Sequence, residues 1–327
     1  MFSSHNTFNP NTDMPSLRGK TVLVTGGNNG LGLQSVRHFA AAGAKVYMCS
    51  RSVSKAEQAI QSLSKPSSAA DPDTEPPSSP SFSNIHILQL DLSSLEAIKT
   101  AARQFLSEND RLDILMLNAG IMAQPPCLTA DGYEAQFGTN YLGHAALARL
   151  LLPVLTRTAE QQPGSDVRVV TLTSVAQQWL APAAGMLLDR VGSDMDDLGP
   201  WGRYGHSKLA NVYFAKGLAA RSPGRILSVA VHPGGVRGTK LHDAAMNTTG
   251  NWVQRTLMAV GERFMAPVEE GVRGQLWASV ADRGEVGTGR VYYPVGREHK
   301  GRELMNDKEQ IDRLWEWTEK ELVRRGF

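Results

Sequence analysis

Apolar positions along this chain follow two alternating rhythms. Compact runs of β-branched and aliphatic residues, "KTVLVTGG", "KVYMCS", "IHILQLDL", "LDILMLNAG", "DVRVVTLTS", "RILSVAVHPGG" and "GRVYYPV", predict about seven strands. Between them lie stretches with helical spacing. "GLQSVRHFAAAG" is stopped at Gly43. "SKAEQAIQSL" opens on a capping box from Ser54 to Glu57, and a second box runs from Ser93 to Glu96. Runs apolar throughout, rather than every second residue, suit strands covered on both faces. Strand and helix in alternation predict an α/β fold, a doubly wound parallel sheet between two helical layers. In such sheets ligands bind beyond the carboxyl ends of the strands.

Two segments stand outside the rhythm. Residues 1–18 are polar and read as a flexible N-terminal tail ahead of a single domain, 19–327. From Pro66 to Ser83 the chain carries five prolines and six serines in 18 residues. Such a stretch buries too little apolar surface to offset the cost of ordering it, and reads as a disordered surface insertion rather than a domain boundary.

Composition narrows the classes of function. The 34 basic residues nearly balance the 32 acidic ones, so no charge excess points to nucleic acid or an anionic membrane. Two cysteines, Cys49 and Cys127, argue against a disulfide framework and for a reducing, cytoplasmic setting. The N-terminus lacks the apolar core of a secretory signal. The most apolar later stretch, "AALARLLLPVL", is interrupted by Arg149 and too short to span a bilayer. The eight histidines show no metal-ligand spacing, and no G-x-S-x-G elbow suggests a hydrolase. The sequence is compatible with a homo-oligomer but does not require one.

Candidate chemistry begins after the first strand. "TGGNNGLG" places Gly26, Gly30 and Gly32 at a strand-to-helix turn, with Asn29 and Leu31 at the helix opening. Glycines there allow backbone to approach a phosphate, and the helix N-terminus offers free N–H groups and partial positive charge. The second strand ends in "MCSRSVSK", with Arg51 and Lys55 where an acid would select the ribose hydroxyls of NAD. A guanidinium fits a 2′-phosphate, so NADP(H) is the expected cofactor. Asp91 after the third strand is placed to accept from an adenine amino group, or to serve the following helix N-terminus. Asn118 in "NAG" is placed to knit loops beside the cofactor.

"RYGHSKLAN" sets Tyr204 four residues before Lys208, and none of the six other tyrosines has a lysine so placed. On a helix the two side chains are neighbours, and a cation beside a phenol lowers its pKa. Alone, the spacing also suits an ordinary helix surface. Together with TGxxxGxG, NAG and a serine after the next strand, in that order, it makes residues 18 to 295 resemble the short-chain dehydrogenase/reductase family. "YGHSKLAN", "HPGGV" and "NYLGH" look closest to its retinol-dehydrogenase-like and WW-domain-oxidoreductase-like branch, although no WW module is visible.

The resemblance implies a Rossmann-type domain and hydride transfer between a nicotinamide and a carbonyl or alcohol. It makes Tyr204 the proton donor and acceptor. Lys208 becomes the residue that lowers its pKa and bonds the nicotinamide ribose, and Ser174 a donor to the reacting oxygen. Asn140 would hold a water in a proton relay, or satisfy a bent backbone. Val236 would bond the carboxamide, with Thr239 one residue later than the family pattern sets it. A substrate lid is expected near 236–265. Trp179, Met186, Leu188 and Trp201 could line a large apolar substrate site or pack a long loop. The expected substrate is a small lipophilic ketone, aldehyde or alcohol, in a secondary-metabolism or detoxification setting. The alternative is an NADP(H)-binding sensor or scaffold without turnover; such proteins usually lose the tyrosine, lysine or serine kept here.

Overall fold

Residues 8–63, 82–161, 165–237 and 265–327 are described by the computed structural model. Strands β1 (Thr21–Thr25), β2 (Lys45–Ser50), β3 (Ile85–Gln89), β4 (Ile114–Leu117), β5 (Val167–Leu172), β6 (Ile226–Val231), β7 (Val291–Tyr293) and β8 (Arg297–Glu298) form one sheet. Their order is β3-β2-β1-β4-β5-β6-β7-β8. All neighbours are parallel except β7 and β8, and β8 is a two-residue antiparallel addition to the seven expected strands.

Side-chain alternation along each strand divides the core in two. Leu23, Tyr47, Cys49, Leu115 and Leu117 point to one face. Helices α3 (Leu95–Glu108), α5 (Gly143–Glu160), α7 (Gly199–Arg221) and the C-terminal α10 (Lys308–Arg324) cover it. Val22, Val24, Val46, Met48 and Met116 point to the other. There α1 (Gly30–Ala41), α2 (Val53–Leu63) and α9 (Arg273–Val280) pack. Short helices α4 (Ala135–Phe137), α6 (Ala176–Trp179) and α8 (Val268–Gly271) complete the order.

Three details differ from the sequence pattern. Residues 8–18 do not hang free. Phe8 and Leu17 are buried in the α1 layer, and the Leu17 N–H donates to the Ala42 carbonyl at 2.8 Å. Two apolar side chains in a polar stretch are enough, since burying each contributes about 2 kcal/mol. Helix α2 is capped by Ser52, whose hydroxyl accepts from the Lys55 N–H at 3.3 Å, two residues before the expected box. Helix α3 is capped by Ser94, because Asp91 already holds Ser93 through both its N–H and its hydroxyl. Most of the Pro/Ser-rich stretch and of the expected lid, including Thr239, lie outside the described residues; Phe82, near the end of the first, is buried.

Candidate active site

The strand order reverses direction between β1 and β4, so the turns that follow these strands meet at one crevice. Gly26 (φ +64°) and Gly30 (φ +51°) take left-handed conformations that glycine adopts without strain. The Asn118 side chain donates to the Thr25 carbonyl at 2.8 Å, tying the "NAG" loop to the glycine turn. Gly32 packs so closely that a Cβ there would lie 2.2 Å from the Gly26 carbonyl oxygen. Asn29 is the N-cap of α1, yet its side chain makes no capping bond, and the first turn carries no acid. The N-terminal N–H groups of α1, including those of Gly30 and Leu31, are therefore left for an outside acceptor. That arrangement fits the pyrophosphate of a dinucleotide.

Arg51 and Lys55 are both exposed beyond the end of β2. Asp91 follows β3; its Oδ1 accepts from Ser93, so its service to the local turn is real.

The reacting groups gather where β4, β5 and β6 end. Tyr204 and Lys208 stand one turn apart on α7 and are buried, at 5% and 4% exposure. Thr173 fixes the Ser174 loop to that helix, its hydroxyl donating to the Lys208 carbonyl at 2.8 Å. Lys208 Nζ lies 5.8 Å from the centroid of the Tyr204 ring and donates to the Leu172 carbonyl at 3.1 Å. That is its one hydrogen bond among the described residues, so a buried ammonium keeps donors in reserve. A ribose hydroxyl would fit them.

The electrostatics correct one expectation. Burial pushes the Tyr204 phenol up to about 12, and the opposing influence is the Ser174 hydroxyl rather than Lys208. Burial also brings Lys208 down to about 8, which leaves it mostly protonated at neutral pH. In the protein alone, desolvation of the phenol outweighs the neighbouring cation.

Asn140 sits in a π-helical turn, Gly138–Leu142, ahead of α5. Its amide accepts from the Ile121 N–H at 2.8 Å and donates to the Ile121 carbonyl at 2.9 Å and to Ser207 Oγ at 3.0 Å. The side chain thus ties the loop after "NAG" to Ser207 on α7, while the carbonyl of Asn140 in the bent turn is met by His144 Nδ1 at 2.8 Å. Past β6, Val236 pairs with Ala266 through Gly235 and Arg237, so the Val236 N–H itself stays outside that pair.

The four candidate lining residues separate by burial. Met186 and Leu188 belong to the core, at 1% and 6% exposure. Trp201 meets the Tyr204 ring edge-on, with centroids 6.3 Å apart. Trp179 is 73% exposed, and Val175 and Leu180, in the same segment just after Ser174, are exposed as well.

Other participants gave little or no sequence signal. Arg203 and Glu134 form an ion pair at 1% exposure each, and Arg203 also donates to the carbonyls of Gln124 and Met195. The pair anchors two loops beside Tyr204. His144 and Thr25 meet at 2.8 Å across 119 residues of sequence. His144 one turn beyond Asn140 in "NYLGH" was the only hint available.

A glycine turn at the strand-order reversal, next to a buried tyrosine–lysine pair and a serine, is an arrangement suited to a nicotinamide-dependent oxidoreductase of the doubly wound class. The family model for short chain dehydrogenases matches residues 20–185. The chain is 36% identical to the short-chain dehydrogenase/reductase drtF of Aspergillus calidoustus, over 95% of this chain and 96% of that one. It is 33% identical to mouse retinol dehydrogenase 12, over 91% and 84%. A crystal structure of an uncharacterized protein from Mycobacterium paratuberculosis superposes with a TM-score of 0.67 at 28% identity, covering 96% of each chain. The protein belongs to the short-chain dehydrogenase/reductase family and has retinol-dehydrogenase-like relatives. Among the described residues no helix is long and apolar enough to cross a membrane, and no side-chain cluster could hold a metal ion.

Proposed function

We propose that this enzyme uses NADP(H) to interconvert a hydrophobic ketone or aldehyde and its alcohol. The observation that carries the reading is the buried Tyr204–Lys208 pair beside Ser174, with exposed Val175, Trp179 and Leu180 following Ser174 in the chain. Bound in the crevice, the nicotinamide would supply or remove the hydride. Arg51 and Lys55 would hold a 2′-phosphate, and the open N-terminus of α1 behind Gly26, Asn29, Gly30, Leu31 and Gly32 the pyrophosphate. Asp91 would take the adenine amino group, and Asn118 would keep the crevice in shape. Lys208 would bond the nicotinamide ribose and Val236 its carboxamide.

At the substrate, the Ser174 and Tyr204 hydroxyls donate to the same oxygen as negative charge develops on it. In reduction, a phenol held near 12 would keep its proton at neutral pH and give it to the far more basic alkoxide. The exposed apolar residues after Ser174 support a lipophilic substrate, since such side chains gain by leaving water. Free cysteines, one buried and one exposed, agree with a cytoplasmic setting.

The test is a screen of aromatic and lipophilic carbonyls with NADPH, followed by absorbance loss. Tyr204→Phe is expected to abolish turnover while retaining NADPH affinity; a fully active variant refutes the role. Arg51→Ala is expected to weaken NADPH at least tenfold while NADH changes little, and an unchanged preference removes the cofactor assignment.

A further inference from the structure

We propose that His144 is a positioning residue, a neutral imidazole whose two hydrogen bonds lock the glycine turn, the "NAG" loop and the π-turn of Asn140 into one cofactor-ready frame. The inference deepens the reading above and rests on it. His144 is 1% exposed and Thr25 0%, so every polar atom between them must find a partner inside the protein.

The contacts fix the direction of each bond. His144 Nδ1 lies 2.8 Å from the Asn140 carbonyl, which can only accept, so Nδ1 carries the proton. In a neutral ring Nε2 must then accept, and its partner at 2.8 Å is Thr25 Oγ1. Thr25 therefore sends its single proton to His144 rather than to the Met116 carbonyl at 3.4 Å. The hydroxyl oxygen is left to accept the N–H groups of Asn118 at 2.9 Å and Ala119 at 3.0 Å, which it does. A protonated ring would reverse one link and break this polarity. Burial and the Lys208 charge hold the imidazole neutral, well below its usual range.

The frame reaches the site at both ends. On one side, Asn118 returns a bond to the Thr25 carbonyl at the glycine turn. On the other, the Asn140 amide clamps Ile121. Gly120 lies between, where an added Cβ would come 3.3 Å from Asn140 Oδ1 and 3.5 Å from Lys208 Nζ. One imidazole thus connects both walls of the crevice near the buried ammonium.

Three variants separate the links. His144→Leu removes both bonds at similar volume, and Thr25→Val removes the hydroxyl and orphans two N–H groups. His144→Asn keeps a donor for the Asn140 carbonyl without reaching Thr25. NADPH affinity is measured by fluorescence titration, and amide exchange at Asn118 and Ala119 by NMR without nucleotide. Leu155→Ala, a core change away from the frame, controls for lost stability. His144→Leu and Thr25→Val are each expected to weaken NADPH at least tenfold and speed exchange at both amides at least a hundredfold. The double variant should do no worse than either single one, and His144→Asn should fall between. Binding within twofold of wild type and unchanged exchange in both single variants would overturn the proposal, as would equal losses in Leu155→Ala. If His144→Leu fails to fold, Thr25→Val decides on the same criteria. If the wild type binds no nicotinamide nucleotide, the functional reading fails instead, and the exchange measurement still decides the frame.

Discussion

Gly32→Ala examines the glycine turn at the point where the packing is tightest. The added Cβ would sit 2.2 Å from the Gly26 carbonyl oxygen, 2.6 Å from Asn118 Nδ2 and 2.9 Å from the Gly26 carbonyl carbon. Two of these atoms are backbone and cannot swing aside, and the third is held by its bond to the Thr25 carbonyl. Restoring ordinary contact requires the turn to retreat from α1 by about 1 Å. Overpacking of this kind costs about 1–3 kcal/mol. A displacement of about 1 Å in groups that position a ligand can cost on the order of a hundredfold. The expected result is a thermal midpoint lower by a few degrees and NADPH binding weakened about 10- to 100-fold. Differential scanning fluorimetry and NADPH fluorescence titration measure the two effects. Gly284→Ala is the control, since nothing lies within 4 Å of a Cβ there. Wild-type NADPH affinity in Gly32→Ala would refute the assignment of this turn to the cofactor.

Further outcomes follow from the same geometry. Ser174→Ala removes the group that pulls the Tyr204 pKa down, so turnover should fall at least a hundredfold with NADPH affinity retained. Equal losses in both would make Ser174 a structural residue. Glu134→Gln keeps an acceptor for the Phe137 N–H but strips Arg203 of its buried partner; about 3 kcal/mol of stability should be lost in urea unfolding. His144 and His206 are both held at about 4, mainly by burial, against 6.5 in the unfolded chain. Their folded pKa values are depressed, so their neutral forms contribute fully above pH 6.5. Each contribution is lost at about 1.4 kcal/mol per pH unit as pH falls from 6.5 toward 4. A thermal midpoint that stays level between pH 7 and pH 4.5 would contradict this.

Local sequence determined what local physics decides. Unbroken apolar runs could only be strands covered on both faces, and glycines between strand and helix could only mark a turn open to close approach. Tyr204 and Lys208 fall on one helical face by spacing alone. The tertiary structure decided whatever depends on neighbours distant in the chain. Asp91 captured Ser93 and moved the cap of α3 to Ser94, a competition between two hydroxyls that spacing does not rank. Met186 and Leu188 were drawn into the core while Trp179, of similar apolar character, stayed outside, because burial follows what surrounds a side chain. The direction of the Tyr204 shift reversed for the same reason. A neighbouring cation is visible in sequence, but the water that folding removes from a phenol is not. Thr25 and His144, 119 residues apart, share a hydrogen bond that exists only once β1 and α5 stand side by side.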